Sequence, residues 1–308
     1  MLLLTGATGQ VGSVLLDRLL AEGVPVRCLV REPRRLGARR VRVQIALGDL
    51  ADPPSFRNAM RGVDTVVHLA ASIRDQPRGS IEELVGIATW RMVQAAERAG
   101  VERFLFFSAL GANTHSRARF LRAKALAEQA VREAGVRSVV FAPSLVYAPG
   151  DRWLTLLERL ALLPAMPVSG GGRAVYQPLW TEDAADCVVG ALRATENGAG
   201  VNRDERFELA GPQTLTHTEV VRTVLRSLNR RRPLVHVPTP VVARGLRLVE
   251  AAAGTRAFAT WDEAELMEVS AVSTRGTTDA ERLGVTPQPM STVLNPLHPA
   301  ERSVLSAA

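Results

Sequence analysis

Lysine is almost missing from this sequence of 308 residues, although the chain is basic overall. Lysine and arginine together number 38 against 31 aspartate and glutamate residues, and Lys124 is the single lysine. Aromatic residues make up only 5% and the arginines are spread along the chain, so the net charge of +7 predicts no nucleic-acid partner. This lysine is either retained by chance in a chain that otherwise uses arginine, or it marks a position that needs a compact ammonium group. A planar guanidinium cannot replace such a group.

Cysteine and long apolar runs are also scarce. Cys28 and Cys187 are too few for a disulfide framework and lie in apolar segments, so we expect two buried thiols. No stretch of about 18 uninterrupted apolar residues occurs, so the sequence predicts no membrane span. Residues 1–4 are apolar but follow no basic stretch and do not resemble a signal peptide, so we expect a cytoplasmic protein.

Short apolar strands alternate with amphipathic helices through the first half of the chain. This alternation predicts right-handed crossovers and a parallel, doubly wound sheet, which is a Rossmann-type α/β fold. The predicted strands are 2–5, 26–30, 41–47, 65–69, 104–107 and 139–142, and the predicted helices are 10–21, 53–61, 81–99 and 117–134.

The alternation ends after Pro143, where proline and glycine become denser. We therefore divide the chain into a Rossmann domain at 1–145 and a smaller mixed C-terminal lobe at 146–308. Residues 174–195, approximately, are expected to pack back on the first domain. In the lobe we predict short strands at 207–209 and 235–237, and helices at 153–163, 182–194, 218–228 and 240–253.

A glycine-rich turn follows the first predicted strand, with glycines spaced G-x-x-G-x-x-G before a helix. In a strand–turn–helix unit the first glycine permits the tight turn, and the second lets the backbone approach a pyrophosphate. The third lets the helix pack closely on the strand, and the N–H groups at the helix start favour the phosphate charge. The turn therefore predicts a dinucleotide site that comprises Gly6, Thr8, Gly9, Gln10, Val11 and Gly12.

The end of the second strand distinguishes between two nicotinamide cofactors. A carboxylate about 20 residues past the glycines would hold the ribose 2′-hydroxyl of NAD. Arg31 stands there instead, with Arg34 and Arg35 close by. Because an arginine fork suits a 2′-phosphate, NADP(H) is favoured. Glu32 leaves NAD(H) open, and a basic surface loop is the other interpretation.

Polar and small residues follow the third and fourth strands. Asp49, next to Leu50, could accept a hydrogen bond from the adenine amino group, or could simply cap the following turn. The small Ala70 and Ala71 leave room for a ribose at the carboxyl end of a parallel strand, where ligands bind in such sheets. His68, on an apolar strand, is expected to be a core histidine rather than a catalytic one. No metal site is predicted.

Together these motifs resemble the short-chain dehydrogenase/reductase superfamily, in its atypical and extended branch. Within that branch the chain looks most like bacterial relatives of the nucleotide-binding accessory subunit of respiratory complex I. The resemblance covers roughly residues 1–290 and implies an NAD(P)(H) site that includes Pro143. It is carried by the turn at 5–12, by Gly48-Asp49-Leu50, 68–71, Lys124 and Pro143-Ser144, and by the segments 107–112, 143–147, 177–183 and 207–212.

The resemblance also implies a catalytic set, namely a tyrosine four residues before a lysine and a hydroxyl at the end of strand five. In the family the lysine lowers the pKa of the tyrosine, which exchanges a proton with the substrate. Lys124 matches the lysine, but Phe120 stands at the tyrosine position and has no phenol. Ser108 is the nearest hydroxyl, because Ala109 and Leu110 occupy the usual places.

Three interpretations remain open. In the first, which we favour, the protein is a reductase with Lys124, Ser108 and Tyr147 as catalytic residues. The proton then comes from Tyr147, Ser144 or water. In the second, it binds NADPH without turnover, as a redox sensor or assembly component. In the third, which we disfavour, Lys124 is a surface lysine without a function.

The lobe indicates only the class of substrate. Apolar segments at 153–157 and 160–166 flank the expected cleft and precede a glycine run at 170–172. An apolar pocket there would suit a quinone, a lipid or another apolar carbonyl compound, although core packing explains the segments equally well. The long helices at 81–99 and 117–134 could pair in a homodimer.

Overall fold

A computed structural model of the chain describes residues 1–196, 204–254 and 257–295. The strands are β1 Leu2–Thr5, β2 Val26–Val30, β3 Gln44–Leu47, β4 Thr65–His68, β5 Arg103–Phe107, β6 Arg137–Pro143, β7 Val146–Tyr147, β8 Met166–Ser169, β9 Val175–Tyr176, β10 Leu179–Trp180, β11 Glu205–Leu209, β12 Leu215–Thr216 and β13 Leu234–Val237. The α-helices are α1 Gln10–Ala21, α2 Pro53–Arg57, α3 Ala88–Arg98, α4 Arg119–Glu133, α5 Arg152–Leu160, α6 Thr181–Glu196, α7 His217–Ser227, α8 Thr239–Ala253, α9 Trp261–Leu266, α10 Thr278–Arg282 and α11 Met290–Val293.

Seven strands form one parallel sheet in the order β11-β6-β5-β4-β1-β2-β3. The strand order reverses between β1 and β4, which is the arrangement that defines a Rossmann-type doubly wound sheet. The predicted fold class is therefore confirmed. Ligands of such sheets bind outside the carboxyl ends of the strands at this reversal point, which places the glycine turn after β1 at the expected position.

The inner strands of the sheet are buried on both faces, as their apolar runs predict, whereas the edge strand β3 is largely exposed. Leu3 and Leu4 are both fully buried, and they belong to different apolar cores because successive side chains of a strand point to opposite faces. The core that contains Leu4 includes residues of α1 and α6, and the core that contains Leu3 includes residues of α3 and α4. Helices on both faces fix the positions of the strand ends, and hence of the loops that follow them.

The bounds of β1 and β2 are those predicted, but other elements are shorter or differently wound. β3 starts at Gln44 because a 3-10 segment at Pro33–Val41 occupies the chain before it. The helix predicted at 81–99 is a π-helical segment at Glu82–Ile87 followed by α3. The helix predicted at 53–61 ends early and continues as a 3-10 turn at Asn58–Met60.

The chain beyond residue 145 supplies the outermost strand of the sheet. Residues 207–209 were predicted as a strand of the smaller lobe, but β11 pairs in parallel with β6. Helix α6 packs against α1, and Arg18 donates hydrogen bonds to Glu182 and Asp186 across that contact at 2.6 and 2.9 Å. The placement of β11 in the lobe was therefore wrong, because β11 completes the sheet of the first domain.

Several of the remaining C-terminal elements form a smaller unit with its own apolar core, whereas α10 packs against β11. Helices α5 and α7 contact each other there, and β8 pairs with β13. Leu154 and Leu157 of α5 are buried in this core, which supports the core-packing interpretation for those two side chains. Both predicted buried thiols, Cys28 and Cys187, are found buried. Among the described helices, none is long and apolar enough to cross a membrane.

Candidate nucleotide and substrate site

The glycine turn between β1 and α1 is closed too tightly to admit side chains. Gly6 has a φ of 77°, and a Cβ there would lie 2.8 Å from the backbone nitrogen of Ala70. A Cβ on Gly12 would overlap the carbonyl oxygen of Gly6. Gly9 precedes α1, and within the described chain no side chain caps the start of that helix. The first turn of α1 therefore presents backbone N–H groups and the positive end of the helix dipole to an anion.

His68 joins the end of β4 to the end of β1 beneath this turn. Its Nδ1 lies 2.7 Å from Thr5 Oγ1, and its Nε2 lies 3.1 Å from Thr89 Oγ1. Complete burial lowers the pKa of the imidazole to about 3, with a further contribution from the nearby charge of Lys124. The ring is therefore neutral near pH 7 and acts as a core residue, as predicted.

Basic side chains line the end of β2. Arg31 is exposed directly after the strand, and Arg34 and Arg35 are exposed on the 3-10 segment that follows. With the described residues these three arginines form no ion pair, whereas Arg39 is paired with Asp17 at 2.6 Å. Their guanidinium groups are thus free for an anion at the carboxyl edge of the sheet.

The loops after β3 and β4 lie at the same edge. Asp49 accepts a hydrogen bond from the N–H of Ala51 at 3.1 Å. Its carboxylate therefore caps the turn, which is the alternative to adenine binding given above. Ala70 donates its N–H to Thr5 Oγ1 at 3.3 Å, which places it beside the glycine turn. Leu50 and Ala70 are half-buried, whereas Ala71 is exposed. The adenine and ribose contacts of these residues stay predictions.

The side chain of Lys124 points into the protein interior. It is 3% exposed, and its ammonium donates a hydrogen bond to the carbonyl oxygen of Phe107. The ammonium also lies 4.8 Å from the ring centroid of Phe106 and 5.5 Å from that of Phe120. Burial lowers the pKa of Lys124 to about 7, against the opposing effect of Glu128. The interpretation of Lys124 as a surface lysine is therefore wrong.

Two buried hydroxyl groups follow β5 and β6. Within the described residues, Ser108 Oγ and Tyr147 Oη have no hydrogen-bond partner, although Ser108 is 4% exposed and Tyr147 is fully buried. Burial and the charge of Asp183 raise the pKa of the Tyr147 phenol. The hydroxyl of Ser144, in contrast, is hydrogen-bonded. Its Oγ donates to the carbonyl of Ala271 at 2.6 Å and accepts from the N–H of Gln177 at 2.9 Å.

The structure brings Ser108 and Pro143 to neighbouring loops. The N–H of Ser108 donates to the carbonyl of Phe141 at 2.6 Å, and the N–H of Leu110 donates to the carbonyl of Pro143 at 2.7 Å. Ser108 directly follows Phe107, whose carbonyl accepts the hydrogen bond of Lys124. Lys124, Ser108 and Pro143 thus surround the carboxyl ends of β5 and β6.

Helix α9 covers this edge of the sheet, which sequence reasoning missed. Arg74, 7% exposed, donates Nε to Glu263 at 3.0 Å and Nη1 to the carbonyl of Ala257 at 3.0 Å. Arg119 at the start of α4 lies 3.4 Å from Asp262. Because the partners of Arg74 are more than 180 residues away along the chain, no local sequence pattern could indicate them. Among the described residues, no group of three or more histidine, cysteine, aspartate or glutamate side chains is placed to bind a metal ion.

The fold and the glycine turn define a Rossmann-type nucleotide-binding protein, and comparison with known proteins identifies the family. Residues 6–151 match the family model described as NAD(P)H-binding. The sterol demethylase protein B of Methylococcus capsulatus is 30% identical over 273 residues, which cover 80% of each chain. The chain therefore belongs to the NAD(P)H-binding family of atypical short-chain dehydrogenases/reductases.

Two further relatives show the range of this family. A ceramide reductase of Caulobacter vibrioides is 28% identical over 250 residues, which are 80% of this chain and 77% of that protein. The mitochondrial NADH dehydrogenase [ubiquinone] 1 alpha subcomplex subunit 9 of Arabidopsis thaliana is 29% identical over 247 residues. Those residues are 77% of this chain but only 60% of that subunit, so the chain spans less than two thirds of its length. The predicted resemblance to the complex I accessory subunit is confirmed.

Solved structures confirm the fold. The triphenylmethane reductase of Citrobacter sp., complexed with NADP(H), has a TM-score of 0.73 at 17% identity, and the match covers 95% of this chain and 98% of that one. An NADPH-dependent quinone oxidoreductase of Escherichia coli, complexed with NADPH, has a TM-score of 0.72 at 18% identity, with 96% and 98% covered.

Proposed function

We propose that the chain is an NADP(H)-dependent oxidoreductase that reduces an apolar carbonyl or quinone-like compound. The observation that carries this proposal is the pair Lys124 and Ser108. The buried ammonium of Lys124, with a pKa of about 7, is bonded to the carbonyl of Phe107. The next residue, Ser108, carries a buried hydroxyl that has no partner within the described chain. Buried polar groups are almost always hydrogen-bonded, so a partnerless hydroxyl at the carboxyl edge of a Rossmann sheet is suited to a substrate oxygen.

The residues of the glycine turn suit the pyrophosphate of a dinucleotide, since Gly6 and Gly12 allow a close approach of the backbone. The exposed arginines 31, 34 and 35 suit the 2′-phosphate that distinguishes NADP(H) from NAD(H). Asp49, Ala70 and Pro143 complete the proposed contacts along the strand ends. When bound, the reduced cofactor supplies a hydride to the substrate carbon.

The substrate oxygen then needs a proton, which Phe120 cannot provide. Lys124 can, because a group with a pKa of about 7 exchanges protons readily near neutral pH. Ser108 Oγ, next to the carbonyl that holds the ammonium, can pass the proton on or orient the oxygen. The raised pKa of Tyr147 keeps its phenol neutral, so Tyr147 is proposed as a hydrogen-bond donor rather than as a base.

The apolar character of the substrate is supported by the lobe and by the relatives. Trp153, Leu156 and Leu160 of α5 are half-buried rather than packed fully into the core. The names of relatives and structural neighbours include a ceramide reductase, a sterol demethylase protein and a quinone oxidoreductase. Ceramides, sterols and quinones share an extended apolar body, so this class of molecule is proposed for the present chain.

A second candidate function is that of an NADPH-binding accessory protein without turnover. Phe120 favours it, because the ring fills the place of the family's catalytic phenol and faces the ammonium of Lys124. The similarity to the complex I subunit is compatible with it. In this case the lysine would hold the end of β5 and would not exchange protons.

Oxidation of NADPH in the presence of quinones, apolar aldehydes and apolar ketones separates the two functions. We expect turnover in the wild type and a loss of about 100-fold or more in Lys124→Met, the usual scale of a lost proton-transfer group. Phe120→Tyr should raise the rate about tenfold or more, because it restores a phenol four residues before the lysine. Phe120→Leu is the matched control, since it removes the ring without adding a phenol. NADPH binding without oxidation in the wild type and in Phe120→Tyr would favour the accessory role.

A further inference from the structure

Helix α8 is attached to the rest of the molecule by one side only. Ala243 is buried on that side, and Glu250 accepts a hydrogen bond from the N–H of Trp261 at the start of α9. On the opposite side, Val241 is 55% exposed and Leu248 is 72% exposed. The helix therefore presents large apolar side chains to the outside.

The exposed apolar positions of α8 form one stripe, in which Val241 and Leu248 carry the large side chains. Val241, Gly245, Leu248 and Ala252 are exposed and are spaced i, i+4, i+7 and i+11, which places them on one face of an α-helix. A helix that is apolar on both its inner and its outer face is normally covered on both. The outer face of α8 has no cover within the described residues, so the stripe indicates a contact outside this chain.

The charges beside the stripe identify the contact. Arg244 is exposed next to it, whereas the guanidinium of Arg247 lies over the ring of Trp261, 5.8 Å from its centroid. The one acidic residue of the helix, Glu250, is also turned toward Trp261. In a two-fold dimer the same face would meet itself, which would bring Arg244 of the two copies together, and α8 has no carboxylate on that face. An apolar stripe bordered by Arg244 instead matches the surface of a bilayer with anionic headgroups.

We propose that α8 docks the protein on anionic lipid bilayers, lying in the plane of the membrane interface with Val241 and Leu248 inserted below the headgroups. This is peripheral binding and needs no membrane span. It goes beyond the proposed reduction and does not depend on it. Its relation to the site is structural: α8 is bonded to α9 through Glu250, and α9 is bonded to Arg74 at the carboxyl edge of the sheet.

A second basic surface serves as the internal comparison. It is a concave cluster of arginines that precedes β13, whereas α8 follows β13. Its lining contains no aromatic side chain that could stack on the bases of a nucleic acid. Two of its arginines, Arg230 and Arg232, donate hydrogen bonds to the carbonyl of Ala161. The cluster consists of Arg222, Arg226, Arg230, Arg231 and Arg232.

Sedimentation with vesicles of phosphatidylcholine, with and without phosphatidylglycerol, tests the proposal on the full chain. We expect binding to the anionic vesicles that weakens with added salt. The double variant Val241→Ser, Leu248→Ser should bind at least about tenfold more weakly, and Arg244→Gln about fivefold more weakly. Val41→Ser is the matched apolar control, since Val41 is 83% exposed and distant in the fold, and Arg231→Gln is the charge control. Both controls should bind as the wild type does.

Insertion has its own readout. Because both natural cysteines are buried, Leu248→Cys can be labelled selectively with a polarity-sensitive dye, which should shift to the blue on anionic vesicles. Absence of vesicle binding, or equal binding by the double serine variant, would overturn the proposal. The proposal would also be overturned if Arg231→Gln lost binding while the α8 variants kept it. A change only in the oligomeric state of the Val241→Ser, Leu248→Ser variant would overturn it as well. NADPH affinity of each variant shows whether it is folded, and failure of vesicle binding would leave the proposed reduction untouched.

Discussion

At the scale of single residues, the proposed chemistry depends on the charge of Lys124. Its ammonium is held by a main-chain carbonyl and two aromatic rings, which stabilise the charge less well than water does. The pKa consequently falls from 10.5 to about 7. A lysine in this state can give or take a proton at neutral pH, as an arginine cannot.

This lowered pKa predicts how stability changes with pH. Between pH 7 and pH 10.5 the unfolded chain keeps the proton on Lys124 and the folded chain releases it, so the free energy of unfolding rises with pH. We expect a contribution of up to about 1.4 kcal/mol per pH unit, measured by urea unfolding without cofactor between about pH 7 and pH 9. Lys124→Met should abolish this contribution. Arg132→Met, which removes an exposed cation of the same helix, should retain it, and equal slopes in both variants would contradict the lowered pKa.

The sequence singled out Lys124 by its uniqueness and by the resemblance, but not its burial. Whether a side chain on an amphipathic helix faces solvent or a strand end depends on how the helix is rotated against the sheet. Periodicity fixes that rotation only to within about one residue position on the helix. The sequence likewise could not predict that the hydroxyls of Ser108 and Tyr147 have no partner among the described residues, since their surroundings come from distant segments.

At the scale of elements, β11 shows how the sheet is completed. Phe207 is 1% exposed, and its ring is stacked at 6.0 Å on that of Phe141 in β6. The strand closes one edge of the sheet and covers the apolar core between the sheet and α6. Its stability contribution therefore comes from packing of a large aromatic side chain.

Truncation of that ring should be costly. We expect Phe207→Ala to lower the free energy of unfolding by about 3–5 kcal/mol, because the substitution leaves a cavity in a close-packed core. Phe258→Ala, at a side chain 53% exposed, should cost less than about 1 kcal/mol. Urea unfolding of the two variants gives the comparison. A small loss in Phe207→Ala would mean that β11 is not an integral strand of the sheet.

Strands β1 and β2 were predicted with correct bounds because they are short and mostly apolar, and because Gly6 follows β1 and Pro25 precedes β2. The sheet position of β11 was not, because β11 follows a long interruption of the strand–helix alternation and order in the chain does not determine the edge strand. The π-helical turn at Glu82–Ile87 was read as α-helix, since π and α turns have the same apolar periodicity over so few residues.

At the scale of the whole molecule, two parts of the chain meet over the carboxyl edge of one sheet. The sheet supplies the glycine turn, Lys124 and Ser108, and the C-terminal part supplies α9 with the carboxylates of Asp262 and Glu263. The ion pair of Arg74 with Glu263 is largely buried, so its partners hold each other in place and the cover lies at a fixed position. We expect this cover to limit water at the site of the proposed hydride and proton transfer.

The central claim is that a nicotinamide dinucleotide binds on the glycine turn, and a fluorescence titration with NADPH and NADH tests it most directly. Four tryptophans provide the signal. The proteins are the wild type, Gly12→Ala, whose new methyl group would overlap the Gly6 carbonyl, and Gly245→Ala, whose methyl group would meet no neighbour. Arg31→Ala and its control Arg40→Ala, another exposed arginine of the same segment, test the 2′-phosphate contact.

We predict that NADPH binds the wild type and Gly245→Ala equally, and binds Gly12→Ala at least about tenfold more weakly, a loss of about 1.4 kcal/mol. NADPH should bind more tightly than NADH, and Arg31→Ala should remove most of that difference while Arg40→Ala keeps it. Failure of the wild type to bind either cofactor, or unchanged affinity in a folded Gly12→Ala protein, would contradict the account.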